Sequence, residues 1–263
     1  MKKYLVIGNP IEHSLSPLLH NYWLKKNNIN AIYDKQKLDT KDLESLVMEI
    51  KNKKINGVNI TVPFKEKIIS FCDKLSSEAE GTQSVNTISL ENDKIVGYNT
   101  DIKGFKAAFE KLKFNVLGKK IFILGAGGVV PSIVFSLNEM RVSEIIISNR
   151  TKDKAKKLNK LFKNISVIDW GELPNFDLII NATSVGLNNK DELNLDFSKI
   201  KNDKFFYDVI YNPRETKFLK DARKLGNETE NGKKMFINQA AEAFKIWHGI
   251  QPEINEEVSR LLD

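Results

Sequence analysis

Ile121-Phe122-Ile123-Leu124-Gly125-Ala126-Gly127-Gly128-Val129-Val130-Pro131 is the stretch that decides the fold. An apolar strand runs straight into a glycine turn, and the turn opens a helix that the apolar pattern carries from about Val129 to Met140. A second strand, Glu144 to Ser148, follows and completes a βαβ unit. In this context backbone N–H groups at a helix N-terminus are placed to hold a pyrophosphate. The third position of the GxGxxG/A pattern falls on Val130, larger than the usual Gly or Ala, and the same residues also suit a tight turn that holds nothing. Pro131 is acceptable in the first turn of a helix, where its missing N–H has no partner to lose.

Further along, the end of the second strand discriminates between dinucleotides. A carboxylate there accepts hydrogen bonds from a ribose 2′-hydroxyl, whereas this chain has Asn149-Arg150-Thr151. A guanidinium with neighbouring amide and hydroxyl donors suits a 2′-phosphate, so the residues favour NADP(H) over NAD. The plainer alternative is a solvated Arg150 and a Thr151 that caps the lysine-rich helix after it. Strands at Ile165 to Ile168, Leu178 to Asn181 and Phe205 to Val209 extend the same sheet, and helices from about Asn238 to Trp247 and Pro252 to Leu262 end the chain.

Towards the N-terminus the pattern alternates: a strand Tyr4 to Ile7, a helix Pro17 to Lys26, a strand Ala31 to Lys35, a helix Thr40 to Lys51 and a strand Gly57 to Thr61. This order predicts a mostly parallel sheet. A helix near Lys65 to Leu75, a hairpin of Val85 to Leu90 with Lys94 to Tyr98, and a helix Asp101 to Phe114 follow. The fold class is α/β with two domains. Residues 1–101 plus 237–263 are expected to form a discontinuous first domain, and residues 102–236 a Rossmann-like NADP-binding domain.

Composition narrows the function classes. The net charge is +7, but only five of the 41 basic residues are arginine and the lysines are scattered, which argues for a solvated surface and against a nucleic-acid partner. No apolar run approaches the roughly 18 residues of a membrane span, and the one from Tyr4 to Ile7 is too short for a signal sequence, so a soluble cytoplasmic protein is expected. Cys72 is the single cysteine, which excludes an internal disulfide and a cysteine zinc site. His13, His20 and His248 do not lie at ligand spacing, and no metal is expected.

Polar clusters punctuate the strand ends: His13-Ser14-Leu15-Ser16-Pro17, Asn59-Ile60-Thr61-Val62-Pro63-Phe64-Lys65 and Gly97-Tyr98-Asn99-Thr100-Asp101. Taken singly, Ser14 and Ser16 could cap the helix at Pro17, Asp101 could be an N-cap, and Lys65 a surface lysine. Together, in order and along the whole chain, GNPIEHSLSPLLHN, NITVPFK, SVNT, GYNTDIKGF, GAGG, NRT, NATSVG, DVIYNP and NGKKMFINQAAEAF resemble the shikimate dehydrogenase family. The resemblance implies that Ser14, Ser16, Thr61, Asn86, Asp101, Tyr211 and Gln239 bind shikimate, and that Lys65 and Asp101 are the catalytic pair. It further implies that Gly125, Ala126, Gly127 and Gly128 hold the pyrophosphate and Asn149, Arg150 and Thr151 the 2′-phosphate. Thr183, Ser184, Val185, Gly232 and Met235 would surround the nicotinamide. Many family members place small residues and then an arginine after GAGG, where this chain has Val129-Val130-Pro131.

The implied chemistry suits these residue types. Ketone reduction delivers hydride to carbon and a proton to oxygen, so one acid must stand within hydrogen-bond reach of that oxygen. Lys65 as ammonium can donate the proton, and Asp101 can hold the amine in place. Two other readings stand beside this one: a quinate/shikimate dehydrogenase of broader specificity, and a non-catalytic shikimate-binding sensor. Monomer and homodimer are both open.

Overall fold

The structure is a computed structural model that describes residues 1–188 and 192–263. The chain divides into two compact units, Met1–Gly104 with Ile237–Asp263, and Phe105–Phe236.

The first unit contains β1 (Lys2–Gly8), α1 (Ser16–Lys26), β2 (Ala31–Lys37), α2 (Leu43–Lys51), β3 (Gly57–Ile60), β4 (Lys74–Leu75), α3 (Ser77–Thr82), β5 (Thr87–Glu91), β6 (Lys94–Tyr98) and the start of α4 (Asp101–Glu110). The strand order is β2-β1-β3-β5-β6-β4. Only β5 runs against its neighbours, pairing antiparallel with β3 and β6. The β5–β6 hairpin turns at Asn92 and Asp93, both at positive φ, the conformation that matches strand twist in a two-residue loop.

On one face of this sheet Leu5, Ile7, Val58, Ile60, Ile88 and Ile95 pack on Leu43, Leu46, Val47 and Ile50 of α2. On the other, Tyr4, His20, Trp23, Tyr33, Phe244 and Trp247 form an aromatic layer. The indole of Trp247 donates to the Ile88 carbonyl at 3.0 Å. A Cβ at residue 57 would lie 2.3 Å from that indole nitrogen, so only glycine lets the late helix lie this close to the strand.

The second unit continues with β7 (Lys120–Leu124), α5 (Val130–Glu139), β8 (Glu144–Ser148), α6 (Lys152–Leu158), β9 (Ile165–Ile168), β10 (Leu178–Asn181), β11 (Phe205–Asp208), α7 (Lys217–Lys224) and β12 (Glu228–Glu230). Its six strands are all parallel, in the order β12-β11-β10-β7-β8-β9. This is the doubly wound order, with the switch of direction between β7 and β10. Side chains alternate between two cores: Ile121, Ile123, Ile145 and Ile147 face α5, while Phe122, Leu124, Ile146 and Phe206 face α7. Both faces are covered, which is why these strands read as unbroken apolar runs. The helices α8 (Lys233–His248) and α9 (Glu256–Leu261) close the chain, and Ile237–Asp263 belongs to the first unit.

Two sequence expectations need correction. The helix expected from Lys65 to Leu75 is a short 3-10 turn at Lys67–Phe71, after which Lys74–Leu75 is a strand. Asp73 captures this segment, its N–H donating to the Ile95 carbonyl at 2.8 Å and its carboxylate accepting from the Ile95 N–H at 2.7 Å. Strand pairing therefore overrides the local helical pattern. The helix from Asp101 stops at Glu110, short of Phe114. α3 and α7 carry no long apolar stripe, and their start signals are single caps, Ser76 accepting from the Ala79 N–H and Thr216 from the Leu219 N–H.

Candidate active site

Parallel topology gathers the first unit's polar clusters at one sheet edge. β1, β3 and β6 run the same way, so the loops holding Ser14 and Ser16, Thr61 and Lys65, and Asn99 to Asp101 all leave from carboxyl ends. β5 runs the other way, so its preceding residue, Asn86, lies at the same edge. Val85, expected in the strand, instead donates its N–H to the Lys65 carbonyl at 2.9 Å, which ties the two loops together.

Lys65 and Asp101 are adjacent. Lys65 Nζ donates to Asp101 Oδ2 at 2.5 Å, with both side chains about nine-tenths buried. Asn86 Nδ2 donates to the other carboxylate oxygen, Oδ1, at 3.0 Å. Asp101 therefore spends its carboxylate on Lys65 and Asn86, and its N–H donates to Asn99 Oδ1 at 3.1 Å. An ammonium so held carries a proton at a defined place, as a general acid requires. The surface-lysine reading of Lys65 fails on its burial, 8% exposed.

Ser14 and Ser16 are not the N-cap of α1. That position is Leu15, with no side-chain cap bond, and Ser14 Oγ accepts from the Ser16 N–H at 3.3 Å. Thr61 donates its N–H to the Ile7 carbonyl, which fixes the β3 loop to the end of β1. Gln239 is half-buried on the part of α8 that belongs to the first unit. Tyr211 is in the second unit, its ring stacked on Phe236 at 4.1 Å and 17°.

In the second unit the glycine turn sits at the switch point. Gly125 has φ +108°, and a Cβ there would lie 2.9 Å from the Ala182 carbonyl. A Cβ at Gly127 would meet nothing within 4 Å. The N-terminus of α5 has neither a side-chain cap nor an acidic residue in its first turn, so the positive end of the helix dipole carries no negative side chain of its own. Val130 is fully buried against the sheet core, which accommodates its bulk. Gly128 begins the turn into this helix.

At the end of β8, Asn149 Nδ2 donates to the Thr151 carbonyl at 2.8 Å. Thr151 is the N-cap residue of α6 but makes no side-chain cap bond, and Arg150 is exposed and forms no ion pair with a described residue. Thr151 therefore does not cap the helix through its side chain, while Arg150 stands exposed, as the solvated alternative has it.

After β10, Thr183 Oγ1 donates to Asn181 Oδ1 at 2.7 Å and accepts from the Val185 N–H at 3.0 Å, while Ser184 is exposed. Asn181 Nδ2 also donates to Asp208 Oδ1 at 3.1 Å. Asp208 accepts further from the Ile210 N–H and the Thr216 hydroxyl, and burial pushes its carboxyl up to about 6. This buried carboxylate joins the loops after β10 and β11. Sequence reading gave it no role, because a strand-terminal Asp carries no local sign of its partners. Gly232 lies so close to β11 that a Cβ would meet the Val209 carbonyl at 2.1 Å, and Met235 is buried in the core beside it. Both residues therefore have a packing reason.

Among the described residues, no helix is long and apolar enough to cross a membrane, and no group of three or more His, Cys, Asp or Glu could hold a metal ion.

Comparisons with known proteins agree along the whole chain. Residues 6–88 match the family described as shikimate dehydrogenase substrate binding domain, 106–221 shikimate / quinate 5-dehydrogenase, and 234–256 the shikimate 5'-dehydrogenase C-terminal domain. A curated relative named shikimate dehydrogenase (NADP(+)), from Pelagibacter ubique, is 58% identical over 262 residues, covering 100% of this chain and 99% of its own. The crystal structure of shikimate dehydrogenase from Aquifex aeolicus is 36% identical with a TM-score of 0.91, covering 100% of this chain and 97% of the other. The Thermus thermophilus enzyme, solved in complex with NADP(H) and shikimate, is 29% identical with a TM-score of 0.90 and full coverage of both chains. Beside the buried Lys65–Asp101 pair and the glycine turn at the switch point, this full-length likeness shows that the chain belongs to the shikimate dehydrogenase family.

Proposed function

We propose that the chain catalyses the reversible, NADPH-dependent reduction of 3-dehydroshikimate to shikimate, a step of aromatic amino-acid biosynthesis by way of chorismate. The single observation that carries the catalytic reading is the buried Lys65–Asp101 pair, with Asn86 on the second carboxylate oxygen. Bound NADPH supplies the hydride, and the protein supplies binding, orientation and the proton.

In the reducing direction Lys65 stands as the ammonium and donates its proton to the carbonyl oxygen as that oxygen gains negative charge. Asp101 keeps Nζ in place and accepts a hydrogen bond from the new hydroxyl. In the oxidising direction Lys65, as the amine, removes the hydroxyl proton. Ser14, Ser16, Thr61, Asn86 and Gln239 offer hydroxyl and amide groups of the kind that bind a polyhydroxylated carboxylate, and Tyr211 offers a phenol. Gly125 to Gly128 and the N-terminus of α5 receive the pyrophosphate, and Asn149, Arg150 and Thr151 the 2′-phosphate. Thr183, Ser184, Val185, Gly232 and Met235 complete the nicotinamide side. A single cysteine, Cys72, fits a cytoplasmic setting.

Steady-state rates with shikimate and quinate, each with NADP+ and NAD+, test this reading. Turnover confined to shikimate with NADP+ supports it. Comparable rates with quinate or NAD+ move the chain to the broader-specificity activity.

A further inference from the structure

Behind the catalytic pair lies a chain of buried polar groups whose direction is set by its fixed donors and acceptors. The Thr100 N–H, which can only donate, points at Asn86 Oδ1 at 2.8 Å. This assigns the oxygen and nitrogen of the amide, whose NH2 faces Asp101 at 3.0 Å and Thr100 Oγ1 at 2.9 Å. Deeper in the sheet, Asn59 Nδ2 points at the Asn86 backbone carbonyl, which can only accept, at 3.3 Å, and at Thr87 Oγ1 at 2.9 Å. Its Oδ1 accepts from the Tyr33 hydroxyl at 2.6 Å. Thr87 Oγ1, which accepts from Asn59, donates its own proton to Asn86 Oδ1 at 3.1 Å. Thr87 is completely buried, and Tyr33, Asn59 and Asn86 nearly so.

We propose that Thr87, oriented by Asn59 and Tyr33, is a positioning residue that locks the Asn86 amide and through it the carboxylate of Asp101 and the amine of Lys65. This role rests on the catalytic reading of Lys65 and Asp101. Each member donates to the next, so the chain polarises towards Asn86 and strengthens its hold on Asp101. Thr87 touches no reacting atom. It acts on rate by removing freedom from groups whose misplacement by about 1 Å costs up to about a hundredfold in turnover.

Thr87→Val keeps the shape and removes the hydroxyl, and Thr87→Ser restores the hydroxyl without the methyl group. Thr87→Val is expected to lower kcat about 10- to 100-fold, by a larger factor than it raises the KM for shikimate, and to displace the pH–rate profile. Thr87→Ser recovers most of the rate. Tyr33→Phe, at the far end, gives a smaller loss in the same direction and decides the matter if Thr87→Val does not fold. A merely structural Thr87 lowers the Tm while kcat and the pH profile stay at wild-type values, and that result overturns the proposal. A crystal structure of Thr87→Val gives an independent reading. A rotated Asn86 amide supports the proposal, whereas Asn86 and Asp101 in unchanged places overturn it. Because this reading does not use turnover, it stands apart from failure of the wild-type protein to oxidise shikimate, which would sink the functional assignment instead.

Discussion

The site of the absent Cβ of Gly125 lies 2.9 Å from the carbonyl oxygen of Ala182, so the chain segments leaving β7 and β10 come as close as backbone allows. Gly125 also has φ +108°, a region that L side chains rarely adopt. Gly125→Ala therefore forces these segments apart and strains the turn, at a cost of about 1–3 kcal/mol. The expected outcome is a lower Tm and a raised Kd for NADP+, with shikimate binding little changed. Calorimetric titration of the two ligands separates these effects.

Arg150 is the test of cofactor choice. Loss of a charge-assisted hydrogen bond to phosphate costs about 1.5–3 kcal/mol, so Arg150→Ala should raise the KM for NADP+ by about 10- to 100-fold. The KM for NAD+, which has no 2′-phosphate, should stay nearly the same. Equal effects on both cofactors would move Arg150 out of the site.

Two buried groups predict the acid behaviour of stability with opposite signs. His20 is fully buried, stacked on Tyr33 at 4.2 Å, and its Nε2 has no hydrogen-bond partner. Burial, with His248 nearby, pushes it down to about 3. The unfolded chain takes up this proton near pH 6.5, so the stability that neutral His20 contributes is present above 6.5 and is lost as pH falls from there towards 3. Asp208, pushed up to about 6 by burial, behaves the other way. Its ionisation weakens the fold as pH rises from about 4 through 6. Thermal unfolding from pH 7 to pH 4 should show a fall in Tm that is smaller in His20→Phe and larger in Asp208→Asn.

How much of this was legible in the sequence depends on where the information lies. The strand, turn and helix around Gly125 could be read because apolar period and glycine are local signals, and the parallel order of the second sheet follows from alternation. The Lys65 loop was misread as a helix because the Asp73–Ile95 pairing that straightens it joins residues far apart in sequence. Lys65, Asn86 and Asp101 could be named by resemblance, but their contact is a product of sheet topology. Thr87 and Asp208 stand inside the segments SVNT and DVIYNP, yet nothing local marks their roles: one is a Thr opening a strand and the other an Asp at a strand end. Only the fold shows that their hydroxyl and carboxylate face buried donors and acceptors rather than water.

The central claim, that this chain turns over shikimate through Lys65, is tested most directly by comparing the wild-type protein with Lys65→Ala in shikimate-dependent reduction of NADP+, alongside shikimate binding to each. The account predicts rapid turnover by the wild type and a loss of about 10²- to 10⁴-fold in kcat for the variant, with measurable shikimate binding retained. Wild-type protein that binds shikimate without reducing NADP+, or a Lys65→Ala variant as fast as the wild type, would contradict it.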